Sequence, residues 1–251
     1  MYNSNKLKGH LSLAYFALLG FIIFLFFSPF LFSLAFLSLF NKKFMDFYYW
    51  FMLKGIKFYI LISPLKFSCK ELPNLEKINQ RKCVIVCNHR SHLDMFLFLS
   101  HVYKVRAMAN SYLLMIPFLG QVIWMSGHFF VKIGNIEHYK KALKQMKMAL
   151  KRKDKVLIFP ESSRCTPSFL GIDKFHLTAF ELARKNKVEI IPVVIKGTDD
   201  VWPKGFMRIN FSKKVSIKEL PAINPNSFHD ISSLVNYVHT QMLEEFQRLP
   251  T

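Results

Sequence analysis

A chain of 251 residues has room for one well-buried α/β domain with a short accessory region and is marginal for two full domains. Lysine and arginine total 35 against 16 acidic residues, a formal net charge of +19, which calls for an anionic partner such as nucleic acid, anionic lipid or an acidic carrier molecule. The 27 phenylalanines crowd toward the N-terminus, which favours lipid over nucleic acid, and the four cysteines, Cys69, Cys83, Cys87 and Cys165, form no dense disulfide framework and are expected as reduced thiols on the cytosolic side.

Residues 11–40 carry no charge. A straight helix of that length would run about 45 Å against a hydrocarbon core of about 30 Å. Pro29 is expected to interrupt it, leaving a helix from about residue 11 to 28 that just spans and a remainder, Phe30 to Phe40, too short to cross again. Lys6 and Lys8 precede the segment and Lys42 and Lys43 follow it. Positive charge on both flanks sets no orientation for a single crossing. It fits a bent, re-entrant hairpin with both ends on the cytoplasmic side. A cleaved signal peptide fits less well, because the apolar run is too long and no small-residue cleavage site follows.

Residues 44–62 read as a second, aromatic helix with Asp46, Trp50, Lys54 and Lys57 on one face. It suits the headgroup layer, or it packs on the domain as an ordinary amphipathic helix. Residues 1–62 are thus expected to form a membrane-associated helical segment, monotopic or single-anchored, with residues 63–251 as a domain on the cytoplasmic side.

After Pro64 the pattern becomes that of an α/β domain with a mostly parallel sheet flanked by helices. Cys83 to Cys87 is a continuous apolar run, as for a strand buried on both faces. It ends in the polar stretch Asn88 to Asp94, and residues 95–102 suit a helix. Strand, polar loop and helix place chemistry at the carboxyl end of a strand. Glu137 to Arg152 is an amphipathic helix with Tyr139, Leu143, Met146 and Leu150 inward and a lysine stripe outward. Val156 to Phe159 is a second buried strand, followed by Pro160-Glu161-Ser162-Ser163-Arg164. Residues 176–186 suit a helix, Ile190 to Ile195 a strand, Met207 to Phe211 and Val215 to Lys218 two shorter strands, and residues 228–248 a closing helix.

Two loops carry the chemistry. His89 and Asp94 put an imidazole and a carboxylate five residues apart. Histidine accepts and returns a proton near neutrality, and a carboxylate on its other nitrogen fixes the tautomer. Alternatively, Asp94 caps the following helix; both can hold at once. Glu161 and Arg164 follow the next strand, with the hydroxyls of Ser162 and Ser163 between them. Arginine suits bidentate phosphate recognition, and a surface Glu–Arg pair is the plainer alternative. Cys83, Cys87, His89 and His92 cluster in sequence, but two of them lie inside the apolar run and the spacing lacks close-set zinc pairs, so no metal is expected.

Asn88-His89-Arg90-Ser91-His92-Leu93-Asp94 resembles the NHxxxxD signature of the PlsC-like glycerolipid acyltransferases, which acylate lysophosphatidate. Phe159-Pro160-Glu161-Ser162-Ser163-Arg164 resembles their FPEGTR block, Ile191-Pro192-Val193-Val194-Ile195 their VPVxI strand, and Ile116-Pro117-Phe118-Leu119-Gly120 their IPxxG segment. Order and spacing agree over roughly residues 80–200. The resemblance implies that His89 deprotonates the acceptor hydroxyl, oriented by Asp94, and that the alkoxide attacks an acyl thioester directly. Glu161, Ser162, Ser163 and Arg164 would hold the phosphate end of the acceptor. No cofactor is implied beyond acyl-CoA or acyl carrier protein as co-substrate, and the partners implied are membrane lipids and that donor, with no nucleic acid.

The sequence departs from the family at several points. The GxxFIDR block reads Gly127-His128-Phe129-Phe130-Val131-Lys132-Ile133, so Ile133 holds the arginine position and Lys132, the candidate substrate contact, stands one residue earlier, on the opposite face of a strand. Ser162 replaces a glycine, and Asn110 stands where a lysine is common. These changes touch the phosphate side rather than the His–Asp pair. Other lysophospholipid or lyso-aminolipid acceptors, and a non-catalytic protein binding anionic membranes, are the competing functions.

Overall fold

A computed structural model of the chain describes residues 2–67, 72–115, 119–132, 134–166, 169–205 and 208–250. Helix α1, Tyr2–Leu37, runs unbroken through Pro29, so the interruption expected there is corrected. Proline lacks the N–H that would bond the carbonyl four residues back. That carbonyl belongs to Leu25, and the Ser28 hydroxyl donates to it instead at 3.4 Å. Over Leu7–Leu37 the helix is long and apolar enough to cross a membrane by length and composition.

The reversal comes at residues 38–42, after which α2, Lys43–Ile62, packs back on α1. Phe27 lies 4.8 Å from Phe51 between ring centroids, and Tyr59 donates its hydroxyl to the Phe16 carbonyl at 2.8 Å. The helix packs on the domain along one face. Tyr48, Tyr49, Met52, Tyr59 and Ile60 are buried, while Phe47, Trp50, Phe58 and Leu61 are exposed.

The domain follows as β1 (Lys66–Phe67), β2 (Cys83–Cys87), α3 (Leu93–His101), β3 (Val105–Asn110), α4 (Leu119–Met125), β4 (Phe129–Val131), α5 (Ile136–Lys151), β5 (Lys155–Ile158), α6 (Thr178–Asn186), β6 (Glu189–Lys196), α7 (Thr198–Val201), β7 (Lys214–Glu219) and α8 (Ile231–Arg248). A 3-10 stretch, Leu72–Gln80, precedes β2. The strands form one sheet in the order β1-β7-β6-β2-β5-β3-β4. All neighbours are parallel except β6 and β7. The strand expected over Met207 to Phe211 does not form: residues 208–211 are irregular chain and turn, and Met207 lies outside the described residues.

Central β2 pairs with β6 and β5 and alternates with period two. Val84 and Val86 face a core closed by α5, α6 and α8. Cys83, Ile85 and Cys87 face a second core that includes Leu93, Leu97 and Phe98 of α3, and Phe16 of α1 and Tyr59 of α2 join it. Packing is therefore continuous across the junction drawn at residues 62–63, and the apolar hairpin lies on one side of the sheet.

Candidate functional site

The carboxyl ends of β2, β5 and β6 converge, as parallel order requires. The loop after β2 begins at Asn88, which is fully buried. Its side chain donates to the Ile195 carbonyl and accepts from the Ile195 N–H, both at 2.8 Å. A side-chain amide thus extends the β2–β6 ladder one step past the strand and aims the next residue out of the sheet.

That residue is His89. Its N–H donates to Glu161 Oε1 at 2.7 Å, and its carbonyl accepts from the Cys165 N–H at 3.0 Å. The ring stacks on Phe159, with centroids 4.1 Å apart and planes 19° from parallel. Nδ1 lies 2.9 Å from Asp94 Oδ2. An ionised carboxylate only accepts, so Nδ1 carries the proton and Nε2 presents its lone pair. The side chain is 21% exposed, which leaves that nitrogen approachable.

Asp94 is fully buried. Its Oδ2 also accepts from the N–H groups of Arg90 at 2.7 Å and Ser91 at 2.8 Å. Both amides precede α3, so the carboxylate gathers the loop rather than capping the helix behind it. Oδ1 accepts from Thr198 Oγ1 at 2.6 Å. Four donors fix the direction of this carboxylate, which suits orienting an imidazole.

Glu161 is buried, and the structure gives it work inside the loop framework. Beyond the His89 amide it accepts from Cys165 Sγ at 2.8 Å and the Asp173 N–H at 2.9 Å. Burial pushes the Cys165 thiol up to about 12, and the bond to Glu161 adds to this. Burial likewise raises Cys83 to about 12 and Cys87 well above its usual value, so none is a thiolate nucleophile near neutrality.

Ser162 and Ser163 are exposed, and Arg164 is half-exposed. Ser162 closes a turn onto the Phe159 carbonyl at 3.1 Å with φ of +60°, a conformation that favours glycine. The Arg164 carbonyl accepts from Lys204 Nζ at 2.7 Å. Burial lowers the His92 imidazole to about 4, and the nearby Arg164 guanidinium lowers it further. His92, Arg164 and His89 therefore share one electropositive neighbourhood.

Lys132 is not brought into that cluster. It is exposed, just past β4 at the sheet edge, three strand spacings or about 14 Å from the line of β2. It lines an open hollow with Asn110, Ser111, Tyr112 and Met115. Ile133, and Ile116 to Phe118 of the IPxxG segment, lie outside the described residues. Among the described residues, no group of three or more His, Cys, Asp and Glu is placed to hold a metal ion.

Sequence reasoning passed over Asn88, Phe159 and Thr198. The first two stand inside motifs and are visible there once their contacts are known. Thr198 carries no signal in its own neighbourhood.

A family profile described as Acyltransferase matches residues 69–196. The 1-acyl-sn-glycerol-3-phosphate acyltransferase of Saccharomyces cerevisiae is 29% identical over 158 residues, covering 58% of this chain and 51% of that one. A chloroplastic enzyme of the same name from Arabidopsis thaliana is 30% identical over 147 residues, covering 58% and 40%. The chain thus spans about half the length or less of these curated relatives. Among solved structures, the 1-acyl-sn-glycerophosphate (LPA) acyltransferase PlsC from Thermotoga maritima superposes with a TM-score of 0.79 at 22% identity, over 99% of this chain and 97% of that one, a likeness of fold.

Proposed function

The chain belongs to the acyltransferase family, and from that premise we propose that it transfers a fatty acyl group from an acyl thioester to the free hydroxyl of lysophosphatidate, giving phosphatidate. The observation that carries this reading is the buried carboxylate of Asp94 held 2.9 Å from Nδ1 of a partly exposed His89. His89 Nε2 takes the proton of the acceptor hydroxyl as its oxygen attacks the thioester carbonyl. The tetrahedral intermediate collapses, the C–S bond breaks, and the proton passes from His89 to the leaving thiolate. Asp94 stays ionised and stabilises the imidazolium between these steps. No protein nucleophile and no cofactor is needed, and acyl-CoA or acyl carrier protein is the donor.

Arg164 and the hydroxyls of Ser162 and Ser163 supply donors to the acceptor phosphate. Glu161 acts at one remove, holding the His89 backbone against the second loop. The apolar hairpin seats the protein in a membrane with the domain on the cytoplasmic side.

The test is acyl transfer by the full chain, offered acyl-CoA and acyl carrier protein donors with a panel of lyso-acceptors. Phosphatidate is expected from lysophosphatidate, and a His89→Gln variant that stays folded is expected to lose at least about 1,000-fold in kcat. Exclusive use of a phosphate-free acceptor would replace lysophosphatidate by a lyso-aminolipid class. The departures at Lys132 and Asn110 make that panel the informative one. Absence of transfer from every thioester would leave a membrane-surface binder.

A further inference from the structure

The family profile ends at residue 196, and one residue later the chain turns sharply. Gly197 has φ of +88°, and a Cβ there would lie 2.3 Å from the Lys214 carbonyl oxygen, so the turn requires glycine. It delivers Thr198 and Asp199 from the end of β6 to the underside of the His89 loop. Thr198 is fully buried and donates to Asp94 Oδ1 at 2.6 Å. Asp199 accepts from Arg90 at 2.5 Å, and Arg90 donates further to the carbonyls of Gly171 and Phe169 at 3.0 Å. The segment therefore grips both Asp94 and the residue that follows His89.

The carboxylate of Asp94 can turn about its terminal bond, a broad torsion with a shallow profile. The donors on Oδ2 all come from one short stretch, residues 89–91. The grip on Oδ1 comes from the first residue of α7, 104 residues away in sequence. A buried hydroxyl paired with a buried carboxylate has no water to turn to and holds its geometry. We propose that Thr198 is a positioning residue for the acyl transfer, locking the Asp94 carboxylate so that Oδ2 meets His89 Nδ1 and Nε2 is aimed at the acceptor.

This rests on the reading of His89 as general base. The Thr198 proton does not move in the reaction; the travelling proton goes from acceptor hydroxyl to His89 Nε2 and then to the leaving thiolate. Loss of the hydroxyl has two consequences. The carboxylate loses its alignment, which lowers kcat. Its charge also concentrates on Oδ2, which makes His89 more basic and moves the acid limb of the kcat/KM profile to higher pH. Thr198 is buried beneath the loop, so substrate affinities stay put.

The experiment compares wild type, Thr198→Val, Thr198→Ser and His89→Gln in the full chain, with an acyl thioester and lysophosphatidate across pH 5 to 9. Thr198→Val is expected to lose about 10-fold to 100-fold in kcat, as for a misaligned catalytic group, with both KM values within about twofold of wild type. Its acid limb moves up, and Thr198→Ser recovers most of the rate and the wild-type profile. The proposal is overturned by a Thr198→Val enzyme with wild-type kcat and an unshifted limb, by a loss confined to KM, or by Thr198→Ser failing as badly as the valine variant. Should the valine variant not fold, Thr198→Ala takes its place against Thr198→Ser, and equal impairment of the two overturns the proposal. Full activity in His89→Gln removes the general-base reading itself, and Thr198 falls with it; full activity in Thr198→Val with a dead His89→Gln removes Thr198 alone.

Discussion

Histidine chemistry here depends on how few atoms are left unengaged. His89 Nδ1, its backbone N–H and its carbonyl are all bonded within the protein, and a phenylalanine lies flat on the ring. Nε2 remains as the atom able to exchange a proton with a bound molecule. Its neighbour across the loop, Ser162, shows the opposite economy. An L-residue at φ of +60° crowds its Cβ against the backbone, a cost of roughly 1–2 kcal/mol that glycine avoids, part of which glycine's greater unfolded-state freedom cancels. Ser162→Gly is expected to raise stability by about 0.5–1 kcal/mol, read as a higher denaturation midpoint at unchanged slope; a variant no more stable than wild type would show that the serine is not strained. His89, Asp94 and Arg164 stood out in the sequence because an imidazole, a carboxylate and a guanidinium each suggest a chemistry from a single side chain. Glu161 reads as a ligand in the sequence, whereas its burial and three internal donors are invisible in a six-residue motif.

At the level of elements, α1 shows why local rules need tertiary detail. Pro29 is an ordinary helix breaker, yet the helix continues, with the Ser28 hydroxyl on the carbonyl that proline abandons. The outer side of α1 exposes Leu18, Ile22, Leu25 and Phe26, an apolar surface of the kind that marks a membrane contact. Replacing Leu18, Ile22 and Phe26 together by glutamate is expected to release the full chain from vesicles while leaving its far-ultraviolet circular dichroism intact. A flotation assay decides it: quantitative retention on the vesicles would mean that another surface anchors the protein. Deleting residues 1–62 is a blunter instrument, because Phe16 and Tyr59 fill the same core as β2 and their loss opens the domain. The strands Cys83–Cys87, Lys155–Ile158 and Glu189–Lys196 were legible as buried apolar runs. Strands β3 and β4 were not, being only partly buried, so that neither shows a continuous apolar run of that length.

At the scale of the molecule, the hairpin and sheet are joined by buried polar groups as well as apolar packing. Arg106 on β3 donates to the Tyr49 hydroxyl of α2 at 2.9 Å and pairs with Asp154 at 2.9 Å. Beside it His128 accepts the Ala107 N–H at 3.0 Å. Burial, with the Arg106 charge adding to it, lowers the His128 imidazole to about 4 from an ordinary 6.5. The unfolded chain therefore binds a proton that the folded one refuses between those values, so stability is full above pH 6.5 and falls as pH drops toward 4. Between pH 7 and pH 4.5 this amounts to about 2 kcal/mol for His128 alone. His128→Asn, whose side-chain oxygen can still accept the Ala107 N–H, is expected to shrink the acid loss by that amount. Parallel melts at the two pH values check it, and an equal drop in both proteins would place the acid sensitivity elsewhere.

What the sequence by itself determined is what repeats or clusters along the chain: the uncharged segment, the buried strands, the amphipathic helix Ile136–Lys151 and the His89–Asp94 pair, all carried by residues within a few positions of one another. What only the tertiary structure decided is what crosses the sheet. Asn88 bonds Ile195 and Thr198 bonds Asp94 at separations of 107 and 104 residues, and Glu161 holds His89 from 72 residues away. Periodicity and motif spacing report a residue's relation to its neighbours in sequence. The partner of a buried polar group is set by which strand ends the fold brings together, and a local pattern carries no record of that.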